Sequence, residues 1–229
     1  LDKVQTAFSK TAAEEFADYT VVSWRKWFFS CAATAEKKCG EWLIPEFSEQ
    51  NEKYVSLRRS AAKLKADYIE KSIGEKPKFL ISFRDAEELL DEDYSAYAAE
   101  EQSIDELKHA DVDFIVSRRR ENAKFIMQEL ESLPDDLIRP LYAQMGERDV
   151  PLFVPVLVKK KWRDELKQYL INNEVYCPVH WDTELGGAQK LYDCELSLIC
   201  DQRCGIEEMK REMTLIREFF KSKGEYNDT

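Results

Sequence analysis

One short stretch, residues 18–28, constrains the fold of this chain more than any other. Its first part, Tyr19 to Val22, is apolar and β-branched, and such a run predicts a short buried strand. The strand leads into Ser23, Trp24, Arg25, Lys26, Trp27 and Phe28, which we expect to form a turn. The sequence therefore predicts a lysine that is fixed just past the end of a buried strand.

Lys26 has two interpretations at this level. Desolvation by Trp24 and Trp27, together with the like charge of Arg25, favours the neutral amine. A neutral lysine is a nucleophile towards carbonyl groups and can form a Schiff base. The alternative is a surface lysine whose aliphatic stem lies along two aromatic side chains. The local sequence leaves both interpretations open.

Composition narrows the class of protein. A chain of 229 residues can hold one large or two small domains. With 12% aromatic and 44% hydrophobic residues it is globular rather than disordered. The net charge of −11 argues against nucleic acid or an anionic membrane as a partner. No apolar run approaches the roughly 20 residues that span a bilayer, and no signal peptide is visible.

Cysteine usage points to reduced thiols and a cytoplasmic location, because the six cysteines form no small disulfide framework. A zinc site could combine His180 with Cys194, Cys200 and Cys204. That spacing matches no common zinc module, and Cys200 lies in a predicted buried strand, so we predict no metal. Cys31 and Cys39 are expected to be buried thiols, because no Cys-x-x-Cys motif occurs.

Hydrophobic periodicity predicts the elements of the first half. We expect a helix over 6–17, the strand at 19–23, and a long helix over about 49–73 with Ser48 as its N-cap. Two acidic helical pieces over 85–109 are expected to present solvated faces.

The second half alternates helices and strands. We expect helices over 113–133, 162–173 and 206–220, strands over 150–158 and 196–200, and an extended segment over 175–181. This order predicts a small α/β lobe whose short sheet is covered by helices on one face. Two prolines place the 150–158 strand at a sheet edge or make it irregular. The triplet Arg118-Arg119-Arg120 is expected to be a salt-bridged helix face.

The core of this lobe follows from the apolar face of each element. The predicted core residues are Phe114, Ile126, Leu130, Val154, Val156, Leu166, Leu198, Met209 and Ile216.

Four residues near the N-terminus form a candidate site: Asp2, Gln5, Ser23 and Lys26. An enzyme that uses pyridoxal phosphate needs a carboxylate to keep the pyridine nitrogen protonated. It also needs a lysine to hold the aldehyde and to shuttle the proton. An aspartate followed by a helix, and by a strand that returns to a lysine, meets both needs.

The residues in this order resemble a known family. Asp2-Lys3-Val4-Gln5, followed by the strand that ends in Ser23-Trp24-Arg25-Lys26, is similar to the distal part of fold-type I pyridoxal phosphate enzymes. The resemblance is to aminotransferases of the DegT type, which act in sugar-nucleotide pathways. It extends through Arg119-Arg120-Glu121-Asn122, Tyr176 to Trp181, and Leu198 to Arg203. No single one of these motifs is specific.

The resemblance implies an α/β fold: the distal part of a transferase large domain, followed by a small α/β lobe. Residues 1–111 would be the end of the cofactor-binding large domain, and residues 112–229 the C-terminal small domain. Lys26 would form the internal aldimine, a Schiff base with pyridoxal 5'-phosphate. Asp2 would pair with the pyridinium nitrogen.

The remaining site residues are also implied by the resemblance. Gln5 would lie near the cofactor ring and Ser23 near its phosphate. Arg203 would bind the substrate carboxylate, the alternative being an ion pair with Asp201 or Glu207. His180 would contact substrate, the alternative being a core or interface histidine.

The implied reaction is amino transfer from a small-molecule amino donor to a keto acceptor, with a keto sugar nucleotide as one candidate. The family also implies a homodimer in the cytoplasm.

Two features favour a competing hypothesis. Family members carry a Gly-Gly step soon after the lysine, whereas here Phe28 to Cys39 contains no glycine. The chain opens at Leu1 without a methionine, and we expect it to be the distal part of a longer protein. The family's upstream half supplies the cup for the cofactor phosphate, so we expect this chain alone neither to hold the cofactor tightly nor to turn over. The alternative function is a catalytically silent relative or fragment that acts as a binding or structural module.

Overall fold

The structure is a computed structural model that describes residues 1–180, 191 and 193–226. The chain divides into two compact units. The first comprises Leu1–Ala7 and Ala12–Ala110, and the second comprises Phe8–Thr11 and Asp111–Thr229. Each unit contains helices and strands, so the predicted α/β class is confirmed.

The first unit combines a small sheet with three helices. Its elements are β1 (Tyr19–Ser23), β2 (Ala33–Lys37), α1 (Glu52–Lys71), α2 (Lys76–Glu92) and α3 (Glu101–Lys108). Strands β1 and β2 are antiparallel, with Tyr19 opposite Lys37. Asp2 forms a parallel bridge with Val21 of β1.

Strand β1 lies nearer the surface than its sequence predicts. Only Val22 of its five residues is buried, and Val21 is 41% exposed. A two-stranded sheet with one bridging residue cannot bury both of its faces, because small sheets need further strands or helices to cover them. The expectation of a buried strand is therefore wrong within the part of the chain that the structure describes.

The helix predicted over 6–17 is also wrong, because only Ala12–Glu15 forms a single 3-10 turn. The chain there makes contacts that a continuous helix would break. The Lys3 amine binds the Glu14 carboxylate at 2.7 Å. Residues Phe8–Thr11 belong to the second unit, where the Ser9 hydroxyl accepts a hydrogen bond from the Val150 N–H.

Helix α1 begins three residues later than expected, because its N-cap is Asn51 rather than Ser48. The Asn51 side chain accepts a hydrogen bond from the Tyr54 N–H at 3.0 Å. The helix ends at Lys71, and its C-cap Ser72 has a left-handed φ of 54°; Gly74 follows with a φ of 93°. Gly74 thus supplies the conformation that side chains disfavour in the link to α2.

The two possible caps make a direct prediction. Asn51→Ala should lower the free energy of unfolding by about 1 kcal/mol, because one N–H of the first turn loses its acceptor. Ser48→Ala should leave stability within about 0.5 kcal/mol, because Ser48 is an exposed residue outside the helix. Urea unfolding followed by circular dichroism measures both values. Equal effects of the two substitutions would contradict the assignment of Asn51.

The acidic segments are helical, as expected, but they are not simply solvated. Glu100, which precedes α3, and Glu106 within α3 both bind the guanidinium of Arg59, at 2.5 and 2.7 Å. Only 14% of the Glu100 side chain is exposed. These carboxylates therefore connect α3 to α1, and the expectation of solvated faces is wrong for them.

The second unit has the predicted helices and the predicted strands near 150–158 and 196–200, but a short strand over 138–140 was not predicted, and residues 175–180 form no strand. Its elements are α4 (Val112–Leu130), β3 (Ile138–Pro140), β4 (Phe153–Val158), α5 (Arg163–Asn172), β5 (Glu195–Ile199) and α6 (Ile206–Ser222). The sheet order is β3-β4-β5, with both pairs antiparallel. Helices α4 and α5 pack against the strands, and α6 packs against both helices.

Strand β4 is central, so the edge position, one of the two alternatives predicted for it, is wrong. Pro155 lacks an N–H and would be expected to break the ladder. On the β3 side, the Pro155 carbonyl accepts a hydrogen bond from the N–H of Leu141, the residue just after β3. The pairing of β3 with β4 has already ended at Pro140, which lies opposite Val156. On the other side Pro155 faces Ser197, whose N–H donates to Pro178 rather than to β4. The N–H that Pro155 lacks would therefore lie where the pairing with β3 has already ended, so β4 can occupy the centre of the sheet.

The predicted core of the second unit is confirmed for eight of its nine residues, all of which are buried. The exception is Phe114, which is 45% exposed. Phe114 lies in the first turn of α4, where its N–H is held by the cap residue Asp111 and its ring lies under the Arg118 guanidinium.

None of the helices that the structure describes combines the length and the apolar character that a membrane span requires.

Candidate functional site

The candidate site of the first unit lies at the end of β1, beside the N-terminal segment. The Lys3 N–H donates to the Val21 carbonyl at 2.8 Å, and the Val21 N–H donates to the Leu1 carbonyl at 2.9 Å. These two bonds fix Asp2 next to β1. The Asp2 carboxylate accepts a hydrogen bond from the Val4 N–H at 2.7 Å, which orients one of its oxygens.

A tight turn carries Lys26, as the sequence predicts. Trp24 to Lys26 form one 3-10 turn directly after Ser23, the last residue of β1. The Trp27 N–H closes this turn on the Trp24 carbonyl at 2.9 Å, and the Phe28 N–H donates to the same carbonyl. Both residues are therefore attached to strand β1: Asp2 bridges to Val21 within it, and Lys26 lies on the turn that follows its last residue.

The two tryptophans do not bury Lys26. The Trp27 side chain is buried with its indole N–H on the Val4 carbonyl, and the Trp24 indole donates to the Thr34 hydroxyl. Lys26 itself is exposed. Of the two interpretations of Lys26, the described structure therefore agrees with the surface lysine and not with an amine desolvated by the flanking aromatic side chains.

The other predicted cofactor contacts differ in exposure. Ser23 is half-buried, and its hydroxyl does not cap the turn that follows. Gln5 is exposed, as is Asp2. Together with Lys26 these side chains offer a carboxylate, an amide, a hydroxyl and a primary amine. That set of groups is chemically suited to a ring nitrogen, a phosphate and an aldehyde.

Sequence reasoning missed the contact that holds Arg25. The Arg25 guanidinium donates to the Glu87 carboxylate at 2.5 Å, and Arg58 donates to the other oxygen of Glu87 at 3.2 Å. Glu87 was expected to be one of several solvated acids on α2. No local pattern could have shown its role, because Arg25 and Glu87 are 62 residues apart in sequence.

In the second unit, His180 belongs to a network with two residues that the sequence did not indicate. The Ser197 hydroxyl donates to the buried Glu195 carboxylate at 2.6 Å, and the His180 Nδ1 lies 2.9 Å from that hydroxyl. The His180 N–H donates to the other Glu195 oxygen at 2.9 Å. Burial alone would raise the pKa of Glu195, but the hydrogen bonds from His180 and Ser197 hold this pKa below its usual value.

Arg203 forms the ion pair that was its alternative interpretation. Its Nε and one terminal nitrogen donate to the two oxygens of Asp201 at 2.8 and 3.0 Å. These hydrogen bonds raise the pKa of Arg203, against the opposing effect of burial. The Arg203 side chain is 71% exposed, whereas Asp201 is 16% exposed.

The arginine triplet divides into three environments, so a uniform salt-bridged face is wrong. Arg118 pairs with Glu121 at the surface, and Arg120 donates to the carbonyls of Gly146 and Asp149. Arg119 is fully buried.

The buried Arg119 donates to the carbonyls of Pro151 and Leu152 and to the Asp201 carboxylate. Asn122, one turn further along α4, donates to the Asp201 and Cys204 carbonyls. The family-like motifs at 119–122 and 198–203 are therefore packed together.

All six cysteines are free thiols. Cys200 is buried, and burial raises the pKa of its thiol to about 12. Cys39 is exposed and Cys31 half-buried, so the expectation that both are buried is wrong. Across the described residues, no cluster of three or more His, Cys, Asp or Glu side chains could hold a metal ion.

Comparison with known proteins gives a match in structure but not in sequence. No family model matches the chain, and no curated protein matches it. Among solved structures, the apo form of Spr1654 from Streptococcus pneumoniae, assigned as a sugar aminotransferase, superposes with a TM-score of 0.57 at 12% identity. That match covers 96% of this chain and 56% of the other.

Two further solved structures are also similar to this chain. DesV of S. venezuelae, in complex with a ketimine intermediate, has a TM-score of 0.44 at 19% identity, over 55% of this chain and 36% of its own. Helicobacter pylori PseC, an aminotransferase of pseudoaminic acid biosynthesis, has a TM-score of 0.44 at 17% identity, over 53% and 35%.

The likeness to Spr1654 shows the fold. Because it extends over nearly the whole chain, the fold that the family resemblance implied is confirmed. This chain spans just over half the length of Spr1654 and about a third of DesV and PseC.

Proposed function

We propose that this chain is the C-terminal part of a pyridoxal 5'-phosphate-dependent aminotransferase. It would transfer an amino group from an amino acid to a keto compound, with a keto sugar nucleotide as the candidate acceptor. Residues 1–111 would be the end of the cofactor-binding domain and 112–229 the small domain. A cytoplasmic homodimer, as the family resemblance implies, is part of the same proposal.

One observation carries the proposal: Asp2 is bridged to β1, and Lys26 lies on the turn that ends β1. Pyridoxal phosphate supplies a ring that withdraws electrons from a bound amino acid. The Asp2 carboxylate, oriented by the Val4 N–H, would hold a proton on the ring nitrogen. The Lys26 Nζ would hold the aldehyde and afterwards move a proton to or from the substrate.

The other residues would bind and orient. Ser23 would donate its hydroxyl to the phosphate, and Gln5 would lie against the ring. Arg203 would bind the substrate carboxylate, because a planar guanidinium can donate two parallel hydrogen bonds. The Asp201 carboxylate already accepts hydrogen bonds from Nε and one terminal nitrogen of this guanidinium, which supports a fixed orientation. His180, held by Ser197 and Glu195, would contact the substrate.

The test is covalent trapping at Lys26, which does not need tight binding because borohydride reduces a transient Schiff base to a permanent bond. The purified chain is incubated with pyridoxal phosphate and reduced with borohydride, and the modified lysines are mapped by mass spectrometry. We expect the adduct to concentrate on Lys26, and Lys26→Ala to remove nearly all of it. Lys53→Ala is the matched control, because Lys53 is an exposed lysine on α1.

A second candidate function is a catalytically silent module, and the exposure of Lys26 favours it. In that case borohydride would trap the cofactor on many exposed lysines, and Lys26→Ala would change the total no more than Lys53→Ala does. Such a result would overturn the aminotransferase proposal.

A further inference from the structure

The turn that carries Lys26 is held on two sides by its tryptophans. The Trp24 indole donates to Thr34 on β2 at 3.0 Å, and the Trp27 indole donates to the Val4 carbonyl at 2.8 Å. Lys26, between them, is exposed. The backbone on either side of this lysine is therefore fixed, although its side chain reaches solvent.

Arg25 provides a third anchor, on the helix pair of the first unit. Its guanidinium donates to the Glu87 carboxylate of α2 at 2.5 Å. Burial alone would lower the pKa of Arg25, but Glu87 and the Tyr54 side chain of α1 raise it. The second Glu87 oxygen accepts from Arg58 of α1 at 3.2 Å. One carboxylate thus connects the turn to both helices.

The anchor at Arg25 depends on the negative charge of Glu87, which lies between two guanidinium groups. Arg25 and Arg58 are both largely shielded from water, with 27% and 12% of their side chains exposed. The Arg58 guanidinium also lies over the Phe83 ring, 4.8 Å from its centre. Without the negative charge of Glu87, the guanidinium groups of Arg25 and Arg58 would lose the counter-ion that they share. The turn would then lose its attraction to α2, and its positive charge would be repelled by that of α1.

We propose that Glu87 is a positioning residue for Lys26. By holding Arg25, it fixes the turn from Trp24 to Trp27 and with it the direction of the Lys26 amine. This inference rests on the proposed function of Lys26, but the anchoring of the turn can be measured without any cofactor.

The experiment compares Glu87→Gln with Glu88→Gln in the whole chain. Glu88 is the adjacent acid on α2 and pairs at the surface with Arg84, so it controls for loss of charge. Hydrogen exchange of the peptide over 23–29 reports the Trp27 and Phe28 amides, which close the turn. We expect about tenfold faster exchange in Glu87→Gln and no change in Glu88→Gln. Trapping of pyridoxal phosphate at Lys26 should fall several-fold in Glu87→Gln alone.

The outcomes separate the two proposals. Unchanged exchange in Glu87→Gln, or faster exchange with undiminished trapping at Lys26, would overturn the positioning role. A wild-type chain with no preference for Lys26 would overturn the proposed function, and the role of Glu87 with it. If circular dichroism shows that Glu87→Gln does not fold, Arg25→Gln releases the same contact from the other side, and the same expectations apply to it.

Discussion

Arg119→Met should lower the free energy of unfolding by about 3 kcal/mol, the largest effect that we expect from a single substitution in this chain. The methionine keeps most of the buried stem but removes the guanidinium. The carbonyls of Pro151 and Leu152 would lose their donor, and the Asp201 carboxylate one of its two cationic partners. Leaving buried acceptors unpaired costs more than the net value of the bonds they made.

The control for Arg119→Met is Arg118→Met on the same helix. Arg118 is one-third exposed and lies 3.6 Å from Glu121, so its replacement should change stability by no more than about 0.5 kcal/mol. The urea midpoint and slope of the two variants give the comparison. If both variants lost the same small free energy of unfolding, the hydrogen bonds of the buried Arg119 would not stabilise the fold as predicted.

Glu212→Gln should remove a large part of the pH dependence of stability. Glu212 of α6 is buried; one carboxylate oxygen accepts from the Cys177 thiol and the Ile199 N–H, each at 3.1 Å. Among the described residues its other oxygen has no hydrogen-bond partner. Burial therefore raises the pKa of Glu212 to about 7, although the bonds from Ile199 and Cys177 oppose it.

The sign of the effect follows from proton linkage. An unfolded glutamate has a pKa of about 4.3, so between this value and about 7 the folded state binds the proton and the unfolded state does not. Stability from this group is therefore full below about pH 4 and falls as the pH rises to 7. The total change over the full range is about 3.5 kcal/mol.

Unfolding free energies at pH 5 and pH 8 measure this component. The wild-type chain should lose up to about 3 kcal/mol more than Glu212→Gln between the two values, because glutamine does not titrate. Glu207→Gln, on the exposed side of α6, should follow the wild type. Parallel pH curves for Glu212→Gln and the wild type would show that Glu212 does not carry the dependence.

Much of the second unit could be predicted from sequence. The period of 3.6 in α4 and α6 and the apolar runs of β4 and β5 defined its elements, and eight of nine core residues followed from them. These signals are local, because each apolar face is written within one element. Phe114 was misplaced because the first turn of a helix can turn an apolar side chain outward without breaking the periodicity.

The candidate site was predictable only in part. The order Asp2, strand, Ser23 and Lys26 is visible in sequence, and so is the turn. The exposure of Lys26 is not, because Trp24 and Trp27 can either cover a neighbouring lysine or point elsewhere. Their indole N–H groups bind Thr34 and Val4, and those partners exist only in the folded chain.

The sequence by itself determined most of the elements of the second unit, and it placed a lysine at the end of the strand to which Asp2 bridges. The tertiary structure alone decided which charged side chains are buried and which groups they bind. Arg119 and Arg118 are adjacent and chemically identical, yet one is buried on carbonyls and the other is at the surface. Hydrogen bonds also reach Glu87, Glu195 and Glu212 from residues that are 62, 15 and 35 positions away in sequence. The reason is physical: the free energy of a charge depends on its solvent exposure and on counter-charges within a few ångströms, and both are set by packing.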